Sequence, residues 1–244
     1  MIYAYSRESS TKMNLLDVLF PKRCIQCGRL GSYICPTCIA LCSFIDTSVC
    51  AGCQRPSIDG KTHPACRTQY SIDGIYSSVA YKGIVKKLVY TFKYPPYLSS
   101  LNDCITELFY EGLIQNEYVY TLLAVPTVFV PIPIHANRLR SRGYNQAEFL
   151  ANGLAKRMGI PVYDMLVRTK DTKTQVGLHK NERKENISRA FVLQEKYFQI
   201  ARQCPQVFLI DDVATSGATL SESAGVLKRS GVASVWGITF AHGE

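Results

Sequence analysis

Residues 207–220 read VFLIDDVATSGATL. Val207, Phe208, Leu209 and Ile210 are four consecutive apolar residues, the pattern of a buried strand. Asp211 and Asp212 follow at its carboxyl end. A run of small and hydroxyl residues comes next, Thr215-Ser216-Gly217-Ala218-Thr219. Leu220, Ala224, Leu227 and Lys228 then recur at helical spacing, and Gly231 supplies a stop signal. Strand, acid pair, small loop and helix start form an arrangement that holds a phosphorylated sugar. The loop N–H groups and the helix N-terminus suit a phosphate. The two carboxylates suit ribose hydroxyls, or a magnesium ion bridging them to a pyrophosphate. An acid pair ending a strand also occurs for purely structural reasons. The stretch is not a Walker loop, since it lacks the spaced glycines and the Lys-Ser/Thr. It is not a dinucleotide fingerprint, since GxGxxG is absent.

The chain has 244 residues, enough for one medium domain and a small one. Its hydrophobic content of 47% is that of a protein that buries a core. The most apolar run, 121–134, is broken by Pro126, Pro131 and Pro133, so no membrane span is expected. The N-terminal residues are polar and carry no apolar signal core, from which a cytoplasmic location is expected. Met13 is an alternative start, with 1–13 a loose extension. The net charge of +9 favours an anionic partner, a phosphorylated metabolite or nucleic acid. A basic surface that only aids solubility is the competing reading.

Ten cysteines in a cytoplasmic chain argue for metal rather than disulfides, and eight of them fall before residue 67. Cys24-x-x-Cys27-Gly28 and Cys35-x-x-Cys38 supply four soft ligands for a tetrahedral zinc. Cys50-x-x-Cys53 and His63-x-x-Cys66 form a second set of Cys3His type. The knuckles could also pair in an interleaved way. Cys42 fits neither set. A module this small needs metal to fold. The division expected is a zinc module at 14–68, opened by the apolar segment 14–20, and an α/β domain at 69–244.

From Tyr70 onward the pattern changes. Residues 70–81 read as strands around a turn at Gly74, and 83–93 as a short basic helix stopped by Pro95-Pro96. Helical spacing continues over 97–113, where Cys104 reads as a core residue. Residues 127–134 read as a central strand. Arg138, Arg140 and Arg142 then lie in a basic loop before a helix that opens at Asn145 or Gln146 and runs to Met158. Such a loop could grip a pyrophosphate, or could simply be solvated. Another strand is expected within 160–167. Residues 168–189 hold seven Lys/Arg against three Asp/Glu. They read as a mobile loop covering a substrate, or as a charged helical face. Residues 232–240 read as the last strand.

The 207–220 string resembles the 5-phosphoribosyl-1-pyrophosphate (PRPP) signature of type I phosphoribosyltransferases. The assembled chain resembles the ComF (competence protein F) family. The likeness rests on LFPKRCIQCG at 19–28, RGYNQAEFLA at 142–151, Gln175, Leu178, Arg183, Asn186 and Phe191 in the polar segment, and the 207–220 string. It implies a zinc ribbon, sometimes double, joined to a type I phosphoribosyltransferase-like α/β fold, a mostly parallel sheet flanked by helices. It implies a role in DNA uptake during natural transformation. It also implies PRPP binding with magnesium, and candidate transferase chemistry in which a nucleophile displaces pyrophosphate from C1. On this reading Asp211 and Asp212 serve the ribose hydroxyls and the magnesium. Val213, Ala214, Thr215, Ser216, Gly217, Ala218 and Thr219 hold the 5-phosphate. Arg138, Arg142 and Arg183 are candidates for the pyrophosphate. The partners expected are PRPP or a related phosphorylated ribose, single-stranded DNA, and DNA-uptake or helicase proteins. The rival reading is an adaptor that keeps the fold, lacks the chemistry, and binds single-stranded DNA or protein.

Overall fold

The computed structural model describes residues 21–45, 47–94, 99–172 and 186–243. Among these, the elements in chain order are α1 (Pro36–Ile39), β1 (Gly74–Ala80), α2 (Ile84–Lys93), α3 (Ser99–Ile114), α4 (Glu117–Leu123), β2 (Thr127–Pro131), α5 (Ala136–Arg142), α6 (Gln146–Met158), β3 (Leu166–Arg168), β4 (Phe191–Leu193), α7 (Phe198–Gln203), β5 (Gln206–Ala214), α8 (Ala218–Arg229) and β6 (Ser234–His242). Segment 14–20, Gln175, Leu178 and Arg183 lie outside the described residues.

The apolar run at 207–210 is the middle of a longer strand. β5 sits inside a four-stranded sheet of order β1-β6-β5-β2, and every pairing is parallel. A strand buried on both faces has no need of polar alternation, which is why Val207–Ile210 is continuously apolar. Its side chains still alternate. Phe208 and Ile210 enter a core with Phe92, Phe109, Leu150 and Trp236. Val207 and Leu209 enter the opposite core with Phe191, Leu220, Ala224 and Val235. Helices α2, α3 and α6 thus cover one face. Helix α8 and the antiparallel pair β3–β4 cover the other. This is the expected α/β class: a parallel sheet flanked by helices, with a cysteine-rich module before it.

Three expectations change. Gly74 makes no turn: it opens a single strand, β1, and lies where a Cβ would fall 2.2 Å from the Trp236 ring. The acid pair does not follow β5 but lies within it, since Asp211 pairs in register with Thr239 of β6. The basic loop at 138–142 is a helix, α5, closed by Gly143 in the left-handed conformation at φ 82. Its apolar content is too low for helical periodicity to reveal it.

The cysteine-rich module runs antiparallel along the outer edge of β1. Ala80 N–H donates to Ser43 O, Ile45 N–H to Ser78 O, and Thr62 N–H to Asp73 O. The module therefore covers the free edge that β1 would otherwise expose. Among the described residues no helix is long and apolar enough to cross a membrane.

Candidate functional site

The parallel strands all end on one edge, where α/β folds place their ligands. Strand alternation there splits the acid pair. Asp212, buried at 6% exposure, faces the α2 side and meets Lys93 Nζ at 2.8 Å. Asp211 faces the β3–β4 side, where Arg168 lies within its electrostatic reach. The Asp212 N–H donates to Asp211 Oδ1 at 2.9 Å. Burial, then repulsion from Asp212, pushes the Asp211 carboxyl up to about 7, against the pull of Lys93 and Arg168. Burial works to lower the Lys93 pKa, but the charge and hydrogen bond of Asp212 outweigh it, and Lys93 sits above its ordinary value.

Arginines flank this pair on both sides. The Arg142 guanidinium stands over the Tyr94 ring at 5.5 Å and donates to Gln146 Oε1 at 3.2 Å, within electrostatic reach of Lys93. Arg138 donates to Thr172 O at 2.6 Å, and Arg168 donates to the hydroxyl of the same Thr172. Arg168 is 8% exposed, and its buried Nε has no hydrogen-bond partner among the described residues. Burial and the like charge of Arg138 bring it down to about 10. A helix turns residues two apart to different faces and residues four apart to the same one, so Arg140 points away from the face shared by Arg138 and Arg142. Arg138 reaches Thr172 and Arg142 reaches Gln146 from that shared face, while Arg140 turns back on exposed Asn137.

After Ala214 the chain turns through Thr215-Ser216-Gly217 into α8. Gly217 is the N-cap at φ 67, a left-handed conformation that suits glycine, and no side chain caps the helix. The cap position therefore supplies no side-chain acceptor of its own to the start of α8. Ser216 is 7% exposed, and its hydroxyl has no partner among the described residues. An uncapped 12-residue helix with a buried unpartnered hydroxyl at its mouth suits a phosphate.

Sequence reasoning missed Lys93 and Arg168. Lys93 ends the basic helix, one residue past Phe92, and only the tertiary fold points it at Asp212. Arg168 opens the polar segment, whose composition suggested solvent, yet it is buried. It is the last residue of β3, one position beyond the strand expected within 160–167, so no local signal marked it as buried.

The cysteines form two sets. Ligand atoms of Cys24, Cys27, Cys35 and Cys38 lie within 4.8 Å of one another, as do those of Cys50, Cys53, His63 and Cys66. The sets are consecutive, not interleaved. Sγ–Sγ of Cys27 and Cys35 is 3.6 Å, the spacing of two ligands on a tetrahedral zinc. The Gly52 and His63 N–H groups donate to Cys50 Sγ at 3.4 and 3.3 Å. Burial raises the Cys50 and Cys24 thiols, but backbone N–H donors outweigh it and bring them to about 7 and about 6. Burial and neighbouring thiols push Cys38 up to about 12. Four thiols this close cannot all ionise unless a cation joins them. His63 Nδ1 lies 3.3 Å from Cys53 Sγ while Nε2 meets Pro56 O at 3.1 Å. That outer bond fixes the tautomer that presents Nδ1 to a metal. Both sets fit structural zinc. Cys42 and Cys104 join neither: they pack against the core, and burial raises both thiols. Among the described residues no third carboxylate or histidine gathers at Asp211 and Asp212.

Residues 15–67 match the double zinc ribbon domain family. The chain is 37% identical over 122 residues to competence protein F of Haemophilus influenzae, covering 49% of this chain and 52% of that protein. It is 34% identical over 117 residues to the DNA utilization protein YhgH of Salmonella typhimurium and 33% identical over 116 residues to YhgH of Escherichia coli. These cover 47% of this chain and 49% of each relative. The chain thus spans about half the length of the curated relatives it matches. It is a homologue of competence protein F over about half its length, and it carries a double zinc ribbon joined to an α/β domain.

Proposed function

We propose that the chain binds PRPP at the carboxyl edge of β5 and serves the handling of incoming DNA or its nucleotides, as the names of its relatives suggest for them. The observation that carries this reading is the turn from β5 into α8: two acids on opposite faces, then an uncapped helix N-terminus with a buried, unpartnered Ser216 hydroxyl. The loop 213–219 would take the 5-phosphate. Asp211 and Asp212 would take the ribose hydroxyls. Lys93, Arg142, Arg138 and Arg168 ring the place where a pyrophosphate would lie, and Arg183 is a further candidate. Magnesium would come chiefly on the pyrophosphate oxygens, since the described residues offer only the acid pair there.

Transfer chemistry follows from that placement. A nucleophile attacks C1, the bond from C1 to the pyrophosphate oxygen breaks, and the electron pair leaves with pyrophosphate. The developing charge needs fixed cations, which the four basic side chains supply. Calorimetry with PRPP and magnesium tests the reading. Wild type should bind, and an Asp211→Asn/Asp212→Asn double variant, isosteric with it, should lose most of the affinity. No binding by wild type, or equal binding by both, rejects it.

A second reading, an adaptor for single-stranded DNA, is favoured by the outward face of α2. Tyr90 and Tyr94 are exposed with ring centroids 4.9 Å apart, flanked by exposed Lys86 and Lys87. Aromatic platforms beside cations suit stacked bases. Binding that weakens steeply with salt, and that falls in Tyr90→Ser/Tyr94→Ser, would support it. Affinity indifferent to both would not.

A further inference from the structure

Gln54 directly follows the metal ligand Cys53, and its side chain reaches across the fold to the loop that enters α8. Its Nε2 donates to Ser216 O at 3.2 Å, and to Ala51 O and Cys50 O at 3.2 and 3.3 Å. Two amide hydrogens thus serve three carbonyls, two in the metal knuckle and one in the candidate phosphate loop. Gln54 holds a left-handed backbone at φ 64, a conformation unusual for a residue with a Cβ. The Gln54 N–H bond to Cys50 O, at 2.8 Å, closes that turn. Packing joins the same two places: Ala51 shares a core with Ile75 and Ala218, and a Cβ on Gly217 would lie 2.9 Å from Ile75 Cδ1.

We infer that Gln54 positions the phosphate loop, so that the metal held by Cys50, Cys53, His63 and Cys66 governs how tightly the donor site grips a phosphate. The peptide plane gives the physical link. In a trans peptide the carbonyl of one residue and the N–H of the next point in opposite directions. Holding Ser216 O toward the knuckle therefore turns the Gly217 N–H away from it, and fixes one of the donors that α8 offers at its start. Without metal, residues 50–66 lose the constraint that keeps Gln54 in its turn, and the Ser216–Gly217 plane is free to rotate. The coupling is reciprocal: a phosphate in the loop should slow metal release from this set and leave the Cys24, Cys27, Cys35 and Cys38 set unaffected. The inference rests on the phosphate reading of the loop for its effect on affinity, but its structural half can be tested without any ligand.

The experiment uses the full chain loaded with zinc, as wild type, Gln54→Gly and His63→Ala. Glycine at 54 removes the amide but tolerates the left-handed turn, so loss of the bridge is separated from backbone strain. Zinc content, amide hydrogen exchange over 214–221, and PRPP affinity with magnesium are measured for each. Gln54→Gly should keep wild-type zinc content, exchange faster at Gly217 and its neighbours, and bind PRPP about three- to ten-fold more weakly, the effect of one lost hydrogen bond. His63→Ala should lose the zinc of the second set and show the same local loosening. If it fails to fold, Gln54→Gly carries the test alone. Unchanged exchange over 214–221 in Gln54→Gly overturns the inference whatever PRPP does. Faster exchange with unchanged affinity overturns the control of binding. Faster exchange in a protein whose wild type binds no PRPP leaves the bridge standing and rejects the donor-site reading instead.

Discussion

Strand alternation sends Asp211 and Asp212 to opposite faces of β5; Lys93 pairs directly with Asp212 and also pulls on Asp211, which Arg168 reaches from the other face. Asp211 is raised to about 7 by burial first and by Asp212 second. The sign for ligand binding follows: a cation or a donated hydroxyl needs the carboxylate, so the proton competes below that value. PRPP affinity measured with magnesium should rise as pH goes from 6 to 8, and Asp211→Asn should flatten that part of the profile. An identical profile in the variant would show that the phosphates alone titrate. Lys93 is a second residue-scale test. Removing one partner of a buried ion pair leaves the other charge stranded, at a cost of ~3–5 kcal/mol when both are fully buried. The Lys93 side chain keeps 26% exposure against 9% for Asp212, so Lys93→Ala should cost less, about 2 kcal/mol. Adding Asp212→Asn should restore most of that stability in a denaturant titration. Additive losses would mean the two groups do not sense each other.

At the scale of elements, the join of β5 to α8 depends on Gly217. Any side chain there must adopt φ 67, at about 1–2 kcal/mol, and push Ile75 aside. Gly217→Ala should lower the melting midpoint, and Ile75→Val should recover the steric part but not the backbone part. Full recovery would locate the whole cost in the contact. This join was legible in the sequence because its signals are local: an apolar run, small residues and a helical period. What was not legible depends on partners far away in the chain. β5 continues through the acids because Asp211, Val213 and Ala214 find register with Thr239, Ala241 and His242 of β6. No property of Asp-Asp announces that pairing. α5 was hidden because RLRSR has too few apolar residues to show a helical face. Arg168 was hidden because a charge at the head of a polar run reads as solvated, whereas its burial comes from Phe191, over whose ring it stands at 5.6 Å, and from Thr172. The metal sets were the most legible part, since ligand spacing is written into the chain and needs no tertiary knowledge.

At the scale of the whole molecule, the metal modules are not separate beads. Cys24, Ile34, Cys35 and Cys38 share one core with Tyr76, Val79 and Leu88, and Ala51 shares the other with Ile75 and Leu209. The chain between the two sets covers the edge of β1 through backbone hydrogen bonds. Structural zinc in small modules supplies its binding free energy to folding, with apparent values of roughly 10–16 kcal/mol in isolated fingers. Here that free energy supports a core that the α/β domain also uses. Chelation should therefore lower the melting midpoint of the entire chain in one cooperative transition, read alike by far-ultraviolet circular dichroism and by fluorescence of Trp236, the one tryptophan, on β6. Two resolved transitions, an early loss of the ribbon and an unshifted melt of Trp236, would mean that the ribbon folds apart from the sheet. In that case the shared cores would contribute little, and Gln54 would be the main route by which metal is felt at the edge where β5 enters α8.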